Sequence, residues 1–389
     1  MSDFSKSSFA TAHRIHGSTS DVRKQMRFNK ILAATAGFAA AAWTPAHAYE
    51  AGAAGWAQKP GITLGGGTAA APPPGLYMID QVYTYQPNLV GPGNSVLNPQ
   101  GGTTSVPSAV ASAVFVWVPG WNFLGATYNA SWAIPAGMFA VCNPINVEAA
   151  GLINTYIAPV ELSWKLGDSG FHVKTGLGMY VPDGTVSGIN GLGNVGNAWW
   201  TFMPEFVVSY LKNGWNLMAN IYEEINTRST VTQYRSGDIL HAEFTATKSI
   251  GKWTVGPVVY YAGQVSDDTS SAFYHGAINV NRYNIWAAGA ELGYNFGPAQ
   301  LTVWALDEVS ANASGGSPQL PPGPLITKGF SAFAQLSYRL WAPDEPAAAP
   351  SLRSITNSRG FVTIRLRAVQ GHHAVCRRVW LRKSGRASR

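Results

Sequence analysis

A few short stretches of this 389-residue chain carry side chains whose types and spacing could do chemistry. Gly191-Leu192-Gly193-Asn194-Val195-Gly196 has the glycine spacing of a dinucleotide site, where backbone N–H groups at a helix N-terminus hold a pyrophosphate. That chemistry needs a helix to follow, and Ala198 to Phe206, with two Trp and a Pro, is a poor helix, so an external loop is the better reading. Gly167-Asp168-Ser169-Gly170 could present a nucleophilic serine. The histidine to activate it would be that of Thr11-Ala12-His13, which lies ahead of a cleavable leader, so a tight turn fits better. Glu223-Glu224 and Asp307-Glu308 are neighbours in extended segments, which sends each pair to opposite faces and rules out a carboxylate couple. Asp267-Asp268 reads either as oxygen ligands for a loop Ca²⁺ or as a solvated loop, the latter favoured. With no His-Glu-x-x-His or Cys/His cluster, the sequence predicts no catalytic residue, no metal and no cofactor.

A different set of charged residues is more informative, because each lies on the polar face of an alternating segment. Glu161, Lys165, His172, Lys174, Glu205, Glu224, His241, Glu243 and Glu291 would all point one way, while Trp200, Phe202, Phe206, Trp215, Leu217, Phe244, Trp253 and Val255 point the other. Inside a cylinder the charged set could tie opposite walls together or set which solutes pass, and the two roles are compatible.

The elements that would position this set recur along the chain. Alternating, turn-bounded segments fall near 76–87, 106–118, 122–137, 153–166, 169–181, 198–212, 214–227, 235–248, 252–265, 280–296, 298–311 and 327–341. Tight turns such as Asn213-Gly214 and Gly297-Pro298 alternate with longer connections around 88–105, 138–152, 182–197, 266–279 and 312–326. The last segment alternates from Phe330 onward, with Phe333 the exception, and ends on Tyr338, Leu340 and Trp341 as a closing strand. Apolar outside and polar inside, short turns opposite long loops, and an even strand count predict an all-β fold: an antiparallel transmembrane outer-membrane β-barrel of about 12 strands.

Composition agrees. Only 12% of residues are charged, 12% are aromatic and 42 are Gly, yet beyond the leader no run approaches the ~20 apolar residues of a spanning helix. Backbone polar groups in lipid must be paired, so strands can cross only as a closed cylinder. The formal charge of +7 divides unevenly: residues 1–48 carry 6 basic and 2 acidic side chains, 49–341 carry 11 and 16, and 342–389 carry 10 and 2. The body is therefore acidic, 11 − 16 = −5, and a nucleic-acid partner is excluded.

The ends have their own readings. Met26-Arg27-Phe28-Asn29-Lys30, an apolar run from Ile31 to Trp43, and Ala46-His47-Ala48 compose a signal peptide cleaved after Ala48, with Ala46 and Ala48 as its small-residue site. Residues 1–25 are either a long n-region or an over-extended start, with Met26 the true one. Residues 49–75 read as a Gly-rich periplasmic entry segment and 76–341 as the barrel. Cys142 and Cys376 supply no disulfide framework. Residues 342–389 form a basic tail, disordered or a gene artefact, and the abrupt composition shift favours the artefact over an extension that binds acidic lipid headgroups.

Several motifs resemble one family. Gly193-Asn194-Val195-Gly196-Asn197-Ala198-Trp199-Trp200-Thr201-Phe202-Met203-Pro204, then Tyr210-Leu211 and Gly214-Trp215, are similar to the outer-membrane transporters grouped under the phenol meta-pathway. Tyr234-Arg235-Ser236-Gly237-Asp238 with His241, and Val255-Gly256-Pro257 through Tyr260-Tyr261, Gln264 and Asp267-Asp268, extend the resemblance over roughly residues 73–341. It implies a transporter-type barrel linked to aromatic catabolism and no enzyme. Leu306-Asp307-Glu308-Val309 departs from the Arg-Glu-aromatic pattern expected there, marking a specialised part of the wall. The function expected is passive passage of small, weakly polar, phenol-like solutes through the outer membrane of a Gram-negative bacterium. The expected partners are that solute, outer-membrane lipid and lipopolysaccharide, and the barrel-assembly machinery. Two other classes compete. An exported carbohydrate-binding β-sandwich conflicts with the repeated apolar faces, and a lipid-acting barrel enzyme lacks a nucleophile and base by spacing.

Overall fold

The computed structural model describes residues 55–144, 146–186, 194–278, 280–316 and 323–343. The leader with Ala46 and Ala48, the tail from 344 onward, and Gly191 to Gly193 of the glycine motif lie outside the described residues.

Alternation decides the elements. In Trp215–Asn226, Leu217 and Ile221 are each 43% exposed whereas Met218, Asn220, Tyr222 and Glu224 are buried. Such strands recur from Gly75 to Trp341: β1 (Gly75–Val90), β2 (Ser108–Val118), β3 (Asn122–Phe123), β4 (Ala126–Cys142), β5 (Asn146–Leu152), β6 (Tyr156–Lys165), β7 (Phe171–Tyr180), β8 (Thr201–Lys212), β9 (Trp215–Asn226), β10 (Ile239–Ile250), β11 (Trp253–Gln264), β12 (Arg282–Asn295), β13 (Ala299–Ser314) and β14 (Ile326–Trp341). Twelve of them form a closed antiparallel cylinder, each pairing with its sequence neighbours, and β14 returns to β1 from Leu76↔Trp341 to Val90↔Ile326. β3 only decorates the turn before β4, and β5 pairs with the upper half of β4.

The rim carrying Gly75 and Trp341 also carries the tight turns. Asn213 (φ 53°) and Gly214 (φ 75°) both take the left-handed conformation that a two-residue hairpin needs to match strand twist. The opposite rim carries the long connections. Here the expected 138–152 loop is corrected: β4 runs on to Cys142, turns, and returns as β5, and Ile153 to Thr155 interrupt what is otherwise one strand, β5 continuing into β6.

Trp200, Phe202, Phe206, Trp215, Leu217, Phe244, Trp253 and Val255 are all exposed on the outer face. A two-sheet sandwich would bury one face of each sheet against the other; the closed cylinder with an apolar exterior is incompatible with that alternative. Placing Arg at Ile221, near the middle of β9, is expected to destabilise the membrane-embedded barrel by about 2–4 kcal/mol. The temperature at which the folded, fast-migrating gel form disappears should fall; an unchanged temperature would mean that this face does not meet lipid.

Candidate functional site

The interior is occupied. Residues 55–74, expected as part of a periplasmic entry segment, instead thread down the inside of the cylinder as a plug. The Tyr283 hydroxyl donates to Gly55 O (2.7 Å) at the long-loop end of the wall, and the chain leaves at the opposite rim, where Arg339 donates to Pro74 O. The physical reason is an excess of wall carboxylates that need donors, met by a thin, Gly-rich backbone rich in free N–H groups.

Each carboxylate takes its share. Glu224 accepts from Ala57 N (2.6 Å) and Gln58 N (3.0 Å). Glu243 accepts from Gly61 N (2.7 Å), Thr63 Oγ1 (2.5 Å) and the Tyr222 hydroxyl (2.9 Å). Glu291 accepts from Gly66 N at 3.4 Å. Glu308 accepts from Tyr85 (2.7 Å), Tyr260 (2.5 Å) and Gly329 N (2.8 Å), and pairs with Lys59 at 3.4 Å. The Lys59 ammonium also lies 4.0 Å from the centre of the Tyr85 ring, so the one buried cation of the described plug sits in a box of carboxylate and aromatic faces. Farther down, Asn216 donates to Gly67 O (3.1 Å), Ser209 Oγ accepts from Ala69 N (2.8 Å) and Ser163 Oγ from Ala71 N (3.1 Å).

Glycine is required where the plug meets a ring. A Cβ on Gly65 would lie 2.0 Å from Trp304 Cζ3. That indole donates to Gly61 O (2.9 Å) and stacks on Phe333 with ring centroids 4.9 Å apart and planes within 1°. Phe333, the apolar exception on the polar face of β14, is thereby explained as part of the plug's seat.

The predicted charged residues divide into three groups. Glu224, His241, Glu243 and Glu291 are buried around the plug, with His241 Nε2 2.9 Å from Glu224 Oε1 and its ring stacked on Tyr222 at 4.4 Å. Glu161, Lys174 and Glu205 form a second cluster away from it, with Lys174 Nζ 2.9 Å from Glu161 and 2.7 Å from Glu205. Lys165 and His172 face each other in register at the end of β6 and β7, beside the tight turn, and of the two Lys165 is a correction, because it opens to water rather than lining the lumen. The Lys165 side chain is 66% exposed and reaches Asp168 at 4.0 Å, because the strand ends there and the ammonium finds water. The closing residues Tyr338, Leu340 and Trp341 sit at the end of β14 with Leu340 and Trp341 exposed, and Tyr338 donates to Asp80 at 3.2 Å.

Lys59, Glu308, Trp304, Tyr85 and Tyr260 were not in the predicted set. Glu308 was legible as the inward partner of outward Asp307, and it does face inward, fully buried, with Val309 bulged out beside it. The departure at Leu306 to Val309 is thus where the wall grips the plug lysine.

The Asp267-Asp268 pair divides: Asp267 is exposed, as the solvated-loop reading expects, whereas Asp268 is buried. Asp268 accepts from Tyr234 (2.6 Å), Gly237 N (2.8 Å), Gln264 (2.8 Å) and Val280 N (3.3 Å), so donors rather than a cation fill its oxygens, and burial pushes its carboxyl up. Asp267 pairs with Arg282. Together they lock the long loops. Among the described residues there is no group of three or more His, Cys, Asp or Glu able to hold a metal.

The plug takes most of its bonds from β8 to β14, with further contacts to β1 at Gln81, β6 at Ser163 and β7 at Tyr180, and leaves a cavity of about 770 Å³ along the β1, β2, β4, β6 and β7 wall. The inner faces of Val110, Val114 and Val116 are its apolar side, and Tyr156, Glu161, Lys174 and Glu205 its polar side. It extends from the tight-turn rim, at Gly297 and Arg339, up to Pro135 and Ile153 in the upper wall.

No curated protein matches the sequence. Among solved structures, the COG4313 outer membrane channel from Pseudomonas putida F1 is similar, with 11% identity, a TM-score of 0.57, and 72% of this chain and 99% of that one covered. A FadL homologue from Pseudomonas aeruginosa (9% identity, TM-score 0.37, 68% and 90% covered) and the translocator domain of the autotransporter NalP from Neisseria meningitidis (11%, 0.38, 70% and 91%) are more distant. The first of these likenesses supports an outer-membrane-type barrel fold. Residues 84–316, more than half of the chain, match the family model described as "Putative MetA-pathway of phenol degradation", and the chain belongs to that family.

Proposed function

We propose that the protein is a passive conduit in the outer membrane of a Gram-negative bacterium for small, weakly polar, ring-sized solutes, phenol-like compounds among them, and that it performs no chemistry on them. In this reading the tight-turn rim faces the periplasm and the long loops face outward, the usual asymmetry of such barrels. The observation that carries it is the cavity of about 770 Å³ left beside the plug, within the size range of small-molecule sites and lined by a mainly aliphatic strip of β2 and by polar groups of the plug and the other strands. A sugar needs hydrogen-bonding partners on every side; on the β2 strip only Ser112 can offer one, and Val110, Val114 and Val116 offer none, whereas an aromatic ring loses little there. The family description and the channel-type neighbour support the same reading. No ATP-binding motif occurs in the sequence, so a gradient supplies the driving force.

The test is rapid-mixing influx into vesicles containing lipopolysaccharide, whose own permeability to rings is low. The protein-dependent rate is expected to be several-fold higher for resorcinol than for arabinose. Equal rates would remove the ring preference, and no protein-dependent influx of either would refute the conduit.

A further inference from the structure

Along the cavity, acids and bases are unevenly matched at one place. Glu161 on β6, Gly176 on β7 and Glu205 on β8 lie side by side in register, and Lys174, one inward position away on β7, reaches both carboxylates (2.9 and 2.7 Å). Asn129 (2.6 Å) and Ser131 (3.0 Å) donate to the second oxygen of Glu161, fixing its direction. Gly176 makes the space: a Cβ there would lie 3.0 Å from Glu161 Cγ and 3.3 Å from Glu205 Oε1. The side chains of Lys174, Glu205 and Glu161 are 18%, 13% and 8% exposed, and the surface they keep faces the cavity.

One ammonium thus serves two carboxylates. The other charged groups on the cavity do not redress this: Lys59 is paired with Glu308, and Arg339 stands at the tight-turn rim, bonded to Pro74 O. A wall strut needs only one carboxylate per ammonium. With both carboxylates ionised, two leave a net negative spot whose oxygens can accept a hydroxyl hydrogen, in the same cavity that Val110, Val114 and Val116 of β2 line.

We propose that Glu161, Lys174 and Glu205 are the specificity-determining residues of the path, favouring neutral hydroxyl-bearing rings and turning away anionic ones. This rests on the conduit reading above. A ring bearing a hydroxyl donates to a carboxylate while its faces meet valines; a ring bearing a sulfonate or carboxylate meets like charge in a confined lumen, where charge is screened less than in bulk water.

The experiment compares protein-dependent influx of benzenesulfonate, permanently anionic, with that of resorcinol, neutral and similar in size. Glu205→Gln, the double variant Glu161→Gln with Glu205→Gln, and Lys174→Gln shift the cluster's formal charge stepwise in both directions. The benzenesulfonate-to-resorcinol ratio is expected to rise in the order Lys174→Gln, wild type, Glu205→Gln, double variant, by roughly three- to tenfold per unit charge. Folding of each variant is checked by its heat-dependent gel shift; if the lysine or double variant does not fold, Glu205→Gln against wild type still decides the sign. A ratio that stays flat across the series overturns the proposal and leaves the cluster as a strut. Influx no faster than in protein-free vesicles for both solutes fails differently, by refuting the conduit itself.

Discussion

Deleting residues 56–72 is expected to raise single-channel conductance several-fold while leaving the barrel folded. The wall closes through backbone ladders that do not involve the plug, from β1 to β14 and back to β1. The fast-migrating unheated gel form should therefore persist. The lumen of a twelve-strand cylinder lies between barrels filled by their own side chains and those with an open aqueous channel, and in this chain much of that space is taken by residues 55–74. Removing them joins the cavity to the plug's own volume. The loss would expose Glu224, Glu243, Glu291 and Glu308 to water, turning an internally bonded set into a strongly cation-selective one. Unchanged conductance would mean that the plug does not occupy the lumen of the membrane-inserted protein.

The second large effect is expected at Glu243. Glu243→Ala strips the acceptor from three donors at once, Gly61 N, Thr63 Oγ1 and the Tyr222 hydroxyl. A buried donor left unpaired costs about 1–3 kcal/mol, so the change should loosen this stretch of plug by a few kcal/mol even where water recovers part of the loss. Steady current through the wild type should become flickering current in the variant, as Gly61 to Thr63 detach and return. Glu243→Gln, which keeps one acceptor oxygen, should show an intermediate effect. Steady current in both variants would place the plug's anchorage elsewhere, at Lys59 and Glu308 or at Trp304.

The wall was legible in the sequence because its physics is local and periodic. A strand between lipid and lumen must alternate, so Leu217 and Ile221 outward and Asn220 and Glu224 inward could be assigned from spacing alone. Turn chemistry at Asn213-Gly214 fixed where strands reverse. The β4–β5 hairpin was missed because Gly151 and the small residues Ala149 and Ala150 carry little alternation, and because a Pro at 144 reads as loop. Lys165 was misplaced for a simpler reason: parity gives a side chain's direction but not its height, and at a rim the polar face opens to water.

The plug was illegible for the opposite reason. Its bonds run from Ala57 to Glu224 or from Lys59 to Glu308, across more than a hundred residues, and no periodicity encodes them. One signal was present. The inward positions carried Glu224, Glu243, Glu291 and Glu308 with too few cations to pair them, and buried carboxylates without cations require N–H or O–H donors. A Gly-rich, nearly uncharged segment directly before the first strand was the available source.

In the conduit proposed above, solute moves through the space between the plug and the β2 wall. Val114 faces that space from β2, so a cysteine placed there should be reached by a charged, water-soluble methanethiosulfonate only if the path is open. With the unsubstituted protein as control for modification elsewhere, modification of Val114→Cys is predicted to cut both conductance and resorcinol influx severalfold in the plugged protein. Full modification of the cysteine with neither quantity changed would contradict the account, because the solute would then have to travel by another route.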